Sequence, residues 1–187
     1  MPKTPQSLKG QLLLDGGKLR GSCFHRTVVL VCQHNAEGAF GLILNRPSDN
    51  KVGDVLEADL PEALHDQILF GGGPVQPAAL SYLHTGAEDS PENVLGSMRV
   101  GHELAELIQI GRRKRADRQV RIFAGYAGWG PGQLDDELRN DSWLTEPATL
   151  RLVFETPPAE LWRLILRSRG DWQSRLLADS PEDLAWN

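Results

Sequence analysis

Gly125-Tyr126-Ala127-Gly128-Trp129-Gly130-Pro131-Gly132-Gln133-Leu134-Asp135-Asp136-Glu137-Leu138 is the stretch on which the reading of this chain turns. An apolar run at residues 120–124 leads into it and reads as a strand. Four glycines at 125, 128, 130 and 132 call for positive φ or for close approach by another group. Tyr126 and Trp129 stand between them, where flexibility alone would not place large rings. Pro131 suits the first position of a helix, because its fixed φ fits and its missing N–H would go unpaired there. Gly130 is then the N-cap, and the Gln133 amide can reach back to the Gly130 N–H as half of a capping box. Such a turn can hold an anion, but Asp135, Asp136 and Glu137 already complement its dipole and favour an ordinary capped helix.

Working outward, a β-rich chain emerges. Residues 11–14 are a short apolar run. Residues 24–32 read as a buried strand, and residues 39–44 form a second apolar run across His34-Asn35-Ala36-Glu37-Gly38, a hairpin-type turn. Pro47 ends that second strand. Further strands are expected at 68–70, 80–84, 94–100 and 150–154. Helical spacing marks 51–58, 102–110 and a last helix opened by Thr156-Pro157, with Leu161, Trp162, Ile165 and Leu166 as its buried stripe. Residues 141–147 read as a connection.

Three blocks carry a resemblance. Arg26-Thr27-Val28-Val29-Leu30 with His34-Asn35 and Gly38-Ala39-Phe40-Gly41-Leu42-Ile43-Leu44-Asn45-Arg46-Pro47 is similar to the opening signature of the YqgE/AlgH family of bacterial proteins. Phe70-Gly71-Gly72-Gly73-Pro74-Val75-Gln76-Pro77 with His84 resembles its middle signature, and residues 125–138 with Trp143 its third. The resemblance spans roughly residues 10–167. It implies one compact α+β domain, a mixed and largely antiparallel sheet with flanking helices. The family has no settled biochemical activity, and its name carries a link to transcriptional regulation. Gly21-Ser22 and Asp15-Gly16-Gly17 depart from the family pattern, so no role is assigned to that first loop. The expected organisation is a flexible tail at 1–10, the domain at 11–170 and a weakly ordered extension at 171–187.

Composition narrows the function classes. With 187 residues, one domain is long enough to bury a core without disulfide or metal staples. Nothing approaches the roughly 20-residue apolar run that a bilayer requires, and residues 1–10 show no apolar signal core, so a cytoplasmic protein is expected. The net charge of −5 disfavours a generally nucleic-acid-binding surface. Cys23 and Cys32 do not form a CxxC pair, and reduced thiols are expected.

No nucleophile elbow, phosphate loop, zinc helix or dinucleotide fingerprint occurs, so no cofactor and no metal are expected. Gly71-Gly72-Gly73-Pro74 lacks the lysine of a phosphate loop and reads as a turn that lets two backbone segments meet. The leading expectation is a non-catalytic binding or regulatory protein. Its ligand or partner surface gathers His34, Asn45, Arg46, Gly72, Pro74, His84, Tyr126, Gly128, Trp129, Gln133 and Glu137 at the glycine turns. The partner would be a small molecule or a protein. A rival is a hydrolase or transferase using His34 or His84 with Glu137. Cys23 with His25, two apart on one strand face, is a weaker nucleophile pair. A third reading is nucleic-acid contact through Arg112, Arg113, Lys114 and Arg115, followed by Arg118 and Arg121.

Overall fold

A computed structural model describes residues 7–113 and 118–181. The chain runs β1 (Gln11–Asp15), β2 (Val28–Asn35), β3 (Gly38–Ile43), β4 (Pro47–Lys51), α1 (Val52–Val55), α2 (Glu62–His65), β5 (Ile68–Gly71) and β6 (Val75–His84). It continues through β7 (Arg99–Gly101), α3 (Leu104–Arg112), β8 (Val120–Trp129), α4 (Gln133–Arg139), β9 (Trp143–Pro147), α5 (Pro158–Ser168) and α6 (Trp172–Asp179). The architecture is α+β, with one mixed sheet of nine strands in the order β4-β5-β8-β3-β2-β1-β9 and with β6 and β7 branching from β8. Only β5 and β8 run parallel among these pairings.

The ten-residue β8 is the spine. Along one edge, β5 accompanies its first half, with Leu69 to Gly71 opposite Ile122 to Ala124, and β3 its second, with Ala39 to Gly41 opposite Trp129 to Ala127. Gly72 closes the changeover: its N–H donates to the Ala124 carbonyl at 2.9 Å, and its own carbonyl accepts from Ile43 at 2.9 Å. Gly125 sits there at φ +71°, and a Cβ on it would lie 2.5 Å from the Gly73 carbonyl oxygen. The glycine run therefore serves as read from the sequence, a place where two backbones meet.

Period-two alternation splits the buried side chains between the two faces of the sheet. Leu12, Leu14, Val28, Leu30, Leu42 and Phe123 face α5 and α6, where Leu161, Trp162, Ile165 and Leu166 complete the largest cluster. Burial of such side chains stabilises by about 2 kcal/mol apiece. Leu13, Val29, Val31 and Ile43 face the other way, toward Trp129, Leu134 and Trp143. A third cluster joins Val52, Leu64 and Leu107 of α1–α3 to Leu69, Tyr82 and Ile122 of the sheet.

Several local expectations are corrected. Residues 24–27 are turn rather than strand, because the buried Asp15 carboxylate captures the Arg26 N–H at 2.8 Å and holds the loop away from a ladder. Residues 47–51 pair with β5, with Pro47 at the first position of an edge strand, where its missing donor costs nothing. Residues 143–147 pair with β1 and form the other edge. Residues 151–155 are a π-helical turn closed by Thr156 N–H to Arg151 C=O at 3.0 Å. There Val153 is fully buried while Leu150, Leu152 and Phe154 pack on the same cluster, so both parities of the run need covering. The stretch after Gly170 forms α6, capped by the Asp171 carboxylate accepting from Ser174 N–H at 2.7 Å and packed through the buried Ala178. Residues 1–6 and 182–187 of the expected tails lie outside the described residues. Among the described residues no helix is long and apolar enough to cross a membrane.

Candidate functional site

The glycine-rich stretch builds a closed knot. α4 begins at Gln133, two residues later than expected, with Gly132 as N-cap at φ +72°. The expected back-bond is nevertheless made, with Gly130 N–H donating to Gln133 Oε1 at 3.1 Å. Glu137, one turn on, receives Trp129 Nε1–H at 2.9 Å and Trp143 Nε1–H at 2.8 Å on one oxygen, and Gln133 Nε2–H at 2.9 Å on the other. Phe24 stacks on Trp129 and meets Trp143 edge-on. Beside it, Leu8 N–H donates to His34 Nδ1 at 3.2 Å, which leaves the ring proton on Nε2, 3.6 Å from Asp135. These groups satisfy one another.

The expected common surface is divided by the sheet. Tyr126 and Trp129 lie three apart on a strand and so face opposite sides. Tyr126 packs against Phe40 at 5.0 Å between centroids, with Gly128 against its ring, whereas Trp129 belongs to the cluster of Trp143 and Leu134. Pro74 is exposed in the turn between β5 and β6, and Gly72 is buried at the changeover. The acid–base pair of the rival reading is not assembled, since Glu137 is held by the two indoles, His34 faces Asp135, and His84 lies at the far end of β6. Cys23 is exposed in the turn before β2, and burial pushes the Cys32 thiol far up. No group of three or more metal-ligating side chains occurs among the described residues.

Asn45 and Arg46 instead open onto a cleft of about 290 Å³ lined by His25, Arg26, Trp162 and Arg163. Its walls follow from two buried polar residues. Asp15 accepts N–H bonds from Gly17 at 2.8 Å, Leu19 at 3.2 Å and Arg26 at 2.8 Å, which folds the loop bearing His25 and Arg26, and its Oδ2 lies 3.3 Å from His25 Nδ1. Asn45 accepts from Val28 N–H at 2.9 Å and donates to the Arg26 carbonyl at 2.8 Å, pinning Arg26 at φ +54°. The Arg26 guanidinium lies 5.1 Å over Trp162 and donates to the carbonyls of Ser180 at 2.9 Å and Pro181 at 2.6 Å. Arg46 is exposed, donates to the His25 carbonyl and receives Gly71 N–H on its own carbonyl at 2.8 Å. Among the described residues it has no carboxylate partner. Among the described residues no acidic side chain lines the cleft. The sequence offered Asn45 and Arg46, but His25, Arg26, Trp162 and Arg163 were missed as a group because α5 reaches them only through folding.

A second cavity of about 290 Å³ lies between β6, β7 and α3, lined by His84, Arg99, Glu106, Arg113 and Arg118. Of the basic cluster, Arg112 and Arg113 are exposed at the end of α3, and Lys114 and Arg115 lie outside the described residues. Arg121 turns inward over the Phe70 ring at 4.5 Å, where burial brings its pKa down to about 10. It is thus removed from any phosphate-contacting face. A wider cavity, about 810 Å³ beside α6, has charged walls that pair among themselves, as in Arg169 with Asp171 at 3.7 Å and Lys18 with Asp141 at 4.0 Å.

Known proteins share both the sequence and the frame. A family model described as AlgH-like matches residues 12–173. A UPF0301 protein of Chlorobium luteolum is 38% identical over 92% of this chain and 91% of its own. One of Streptomyces coelicolor is 39% identical over 97% and 96%. The solution structure of AlgH from Pseudomonas aeruginosa superposes with a TM-score of 0.74 at 30% identity, covering 98% of this chain and all (100%) of that one. A Corynebacterium diphtheriae crystal structure shares the fold with a TM-score of 0.75 at 24% identity, over 96% and 95% of the two chains. The family model spans most of the chain, and the chain belongs to the AlgH-like family.

Proposed function

We propose that the chain is a non-catalytic binding protein with a regulatory output, and that its cleft at Asn45 and Arg46 receives an acidic segment of a partner protein. One observation carries this: Arg46, exposed and with no carboxylate partner among the described residues, stands on the wall of one cleft beside the Trp162 ring. An exposed guanidinium beside a low-dielectric wall raises the local concentration of an incoming anion. The chemistry favours peptide over a bare ion. Arg26 already donates to the main-chain carbonyls of Ser180 and Pro181, and the Trp162 ring supplies an apolar platform beside it. Arginine forks suit carboxylates, and exposed charges steer association more than they hold it. The turn Gly71-Gly72 supports the cleft through the Arg46 carbonyl, so two of the three glycine-bearing blocks contribute to it.

The test is fluorescence anisotropy with a labelled Glu- and Asp-rich hexapeptide at low salt. Saturable binding is expected, weakened at least about tenfold by Arg46→Glu and again by salt above the roughly 0.15 M at which charges are screened beyond about 8 Å. Equal binding by wild type and by both Arg46→Glu and Arg163→Glu variants would remove this reading, as would no binding at low salt.

A further inference from the structure

The basic cluster that the sequence suggests for nucleic acid and the histidine it suggests for a ligand meet at one place: the cavity between β6, β7 and α3. His84 is only 8% exposed, and its Nε2 is buried with no hydrogen-bond partner among the described residues. A buried polar atom left unpaired costs about 1–3 kcal/mol, and the residue that carries this one lines the cavity. We propose that this cavity binds a small phosphomonoester, its phosphate held by Arg99, Arg113 and Arg118 with His84 Nε2 beneath.

The charges favour a dianion. Arg113 and Arg118 have no carboxylate partner among the described residues. Arg99 spends Nε on the Asn93 side chain at 3.2 Å, and its Nη2 lies 4.0 Å from an exposed Glu92. Of the acidic groups present, Glu106 is already engaged by the Tyr82 hydroxyl at 2.6 Å, and Glu88 stands at the wall. Burial keeps the imidazole below its ordinary pKa, with Arg99 and Arg118 adding to the effect and the Thr85 main chain and Glu106 opposing it. A phosphate dianion supplies the missing negative charge, so a proton moves onto Nε2 and the imidazolium donates to the ligand. The volume of about 290 Å³ sits at the lower edge of ligand pockets and suits a phosphate carrying one compact organic group rather than a dinucleotide. The cavity is separate from the Arg46 cleft, and the inference stands without the reading proposed for that cleft.

The experiment titrates inorganic phosphate, then phenyl phosphate, into the full chain by NMR at matched ionic strength, with sodium chloride as control. Saturable shifts at the His84 ring and the Arg99 Nε–H are expected, with phenyl phosphate the tighter of the two. Saturation should raise the His84 titration midpoint by about one pH unit. Arg113→Gln and Arg118→Gln should each weaken binding at least about tenfold, a loss of one charge-assisted contact. Arg46→Glu should leave the shifts unchanged. Unsaturated shifts weaker than about 10 mM, an unmoved His84 midpoint, full binding by both arginine variants, or loss on Arg46→Glu would each overturn the proposal.

Discussion

Two polar assemblies flank the same sheet and differ in one respect. At the Glu137 knot two indole N–H groups and an amide are accepted by one carboxylate, so the buried donors all have partners. At the His84 cavity a buried nitrogen has none among the described residues, and three arginines line the same cavity. The knot carries the conspicuous sequence, with four glycines and two tryptophans, and the cavity carries residues scattered from 84 to 118. Conspicuous residues here secure packing, whereas the groups with capacity to spare are plain in the written chain. Satisfaction of polar atoms separates the two roles better than residue type does.

The comparison can be broken from the knot side first. Glu137→Ala removes the acceptor of two buried indoles, Trp129 at 7% and Trp143 at 4% exposure. Unfolding by urea should show a loss of about 3 kcal/mol, the cost of two stranded donors. A loss below about 1 kcal/mol would mean that water or rearrangement satisfies them and that the knot is not structural.

A smaller effect sharpens the cavity side. The His84 pKa is lowered in the folded protein from the ordinary 6.5, so below that pH the unfolded chain takes up the proton that the native ring resists. Stability contributed by the neutral ring is present above pH 6.5 and falls as pH drops from there through the folded value. Denaturation of wild type and His84→Gln between pH 7 and pH 5 should differ in slope, the variant lacking this component. Identical slopes would mean that the ring is not held neutral.

The smallest expected change is for Arg113→Gln. Its exposure predicts stability within about 0.5 kcal/mol of wild type by the same urea measurement. A larger loss would make Arg113 part of the helix rather than of the cavity rim, and would align the two regions after all.

What was legible in the residues were short-range features. The β2–β3 hairpin, the stripe of α5 and a close approach of two backbones at Gly71-Gly72-Gly73 follow from alternation, spacing and steric freedom. Even the Gln133 back-bond was readable, because it spans three residues. The surface uniting Tyr126 with Trp129 does not form because residues 125–129, which the glycines make read as a turn before a helix at Pro131, continue the strand. Once β8 extends to Trp129, an odd separation sends the two rings to opposite faces. The extension of the first loop through residues 24–27 is not legible locally, because one buried carboxylate, Asp15, decides it through three N–H bonds. Both clefts bring together distant elements, as where Arg46 of the β3–β4 turn and Arg163 of α5 line the same cleft. Local patterning carries no trace of such pairs.

The spine strand has a consequence for how this protein can come apart. Because β8 hydrogen-bonds to β5 and β6 at one end and to β3 at the other, neither half of the sheet can melt and leave the other a complete edge. Fraying of this one strand therefore strips hydrogen-bond partners from β3, β5 and β6 together.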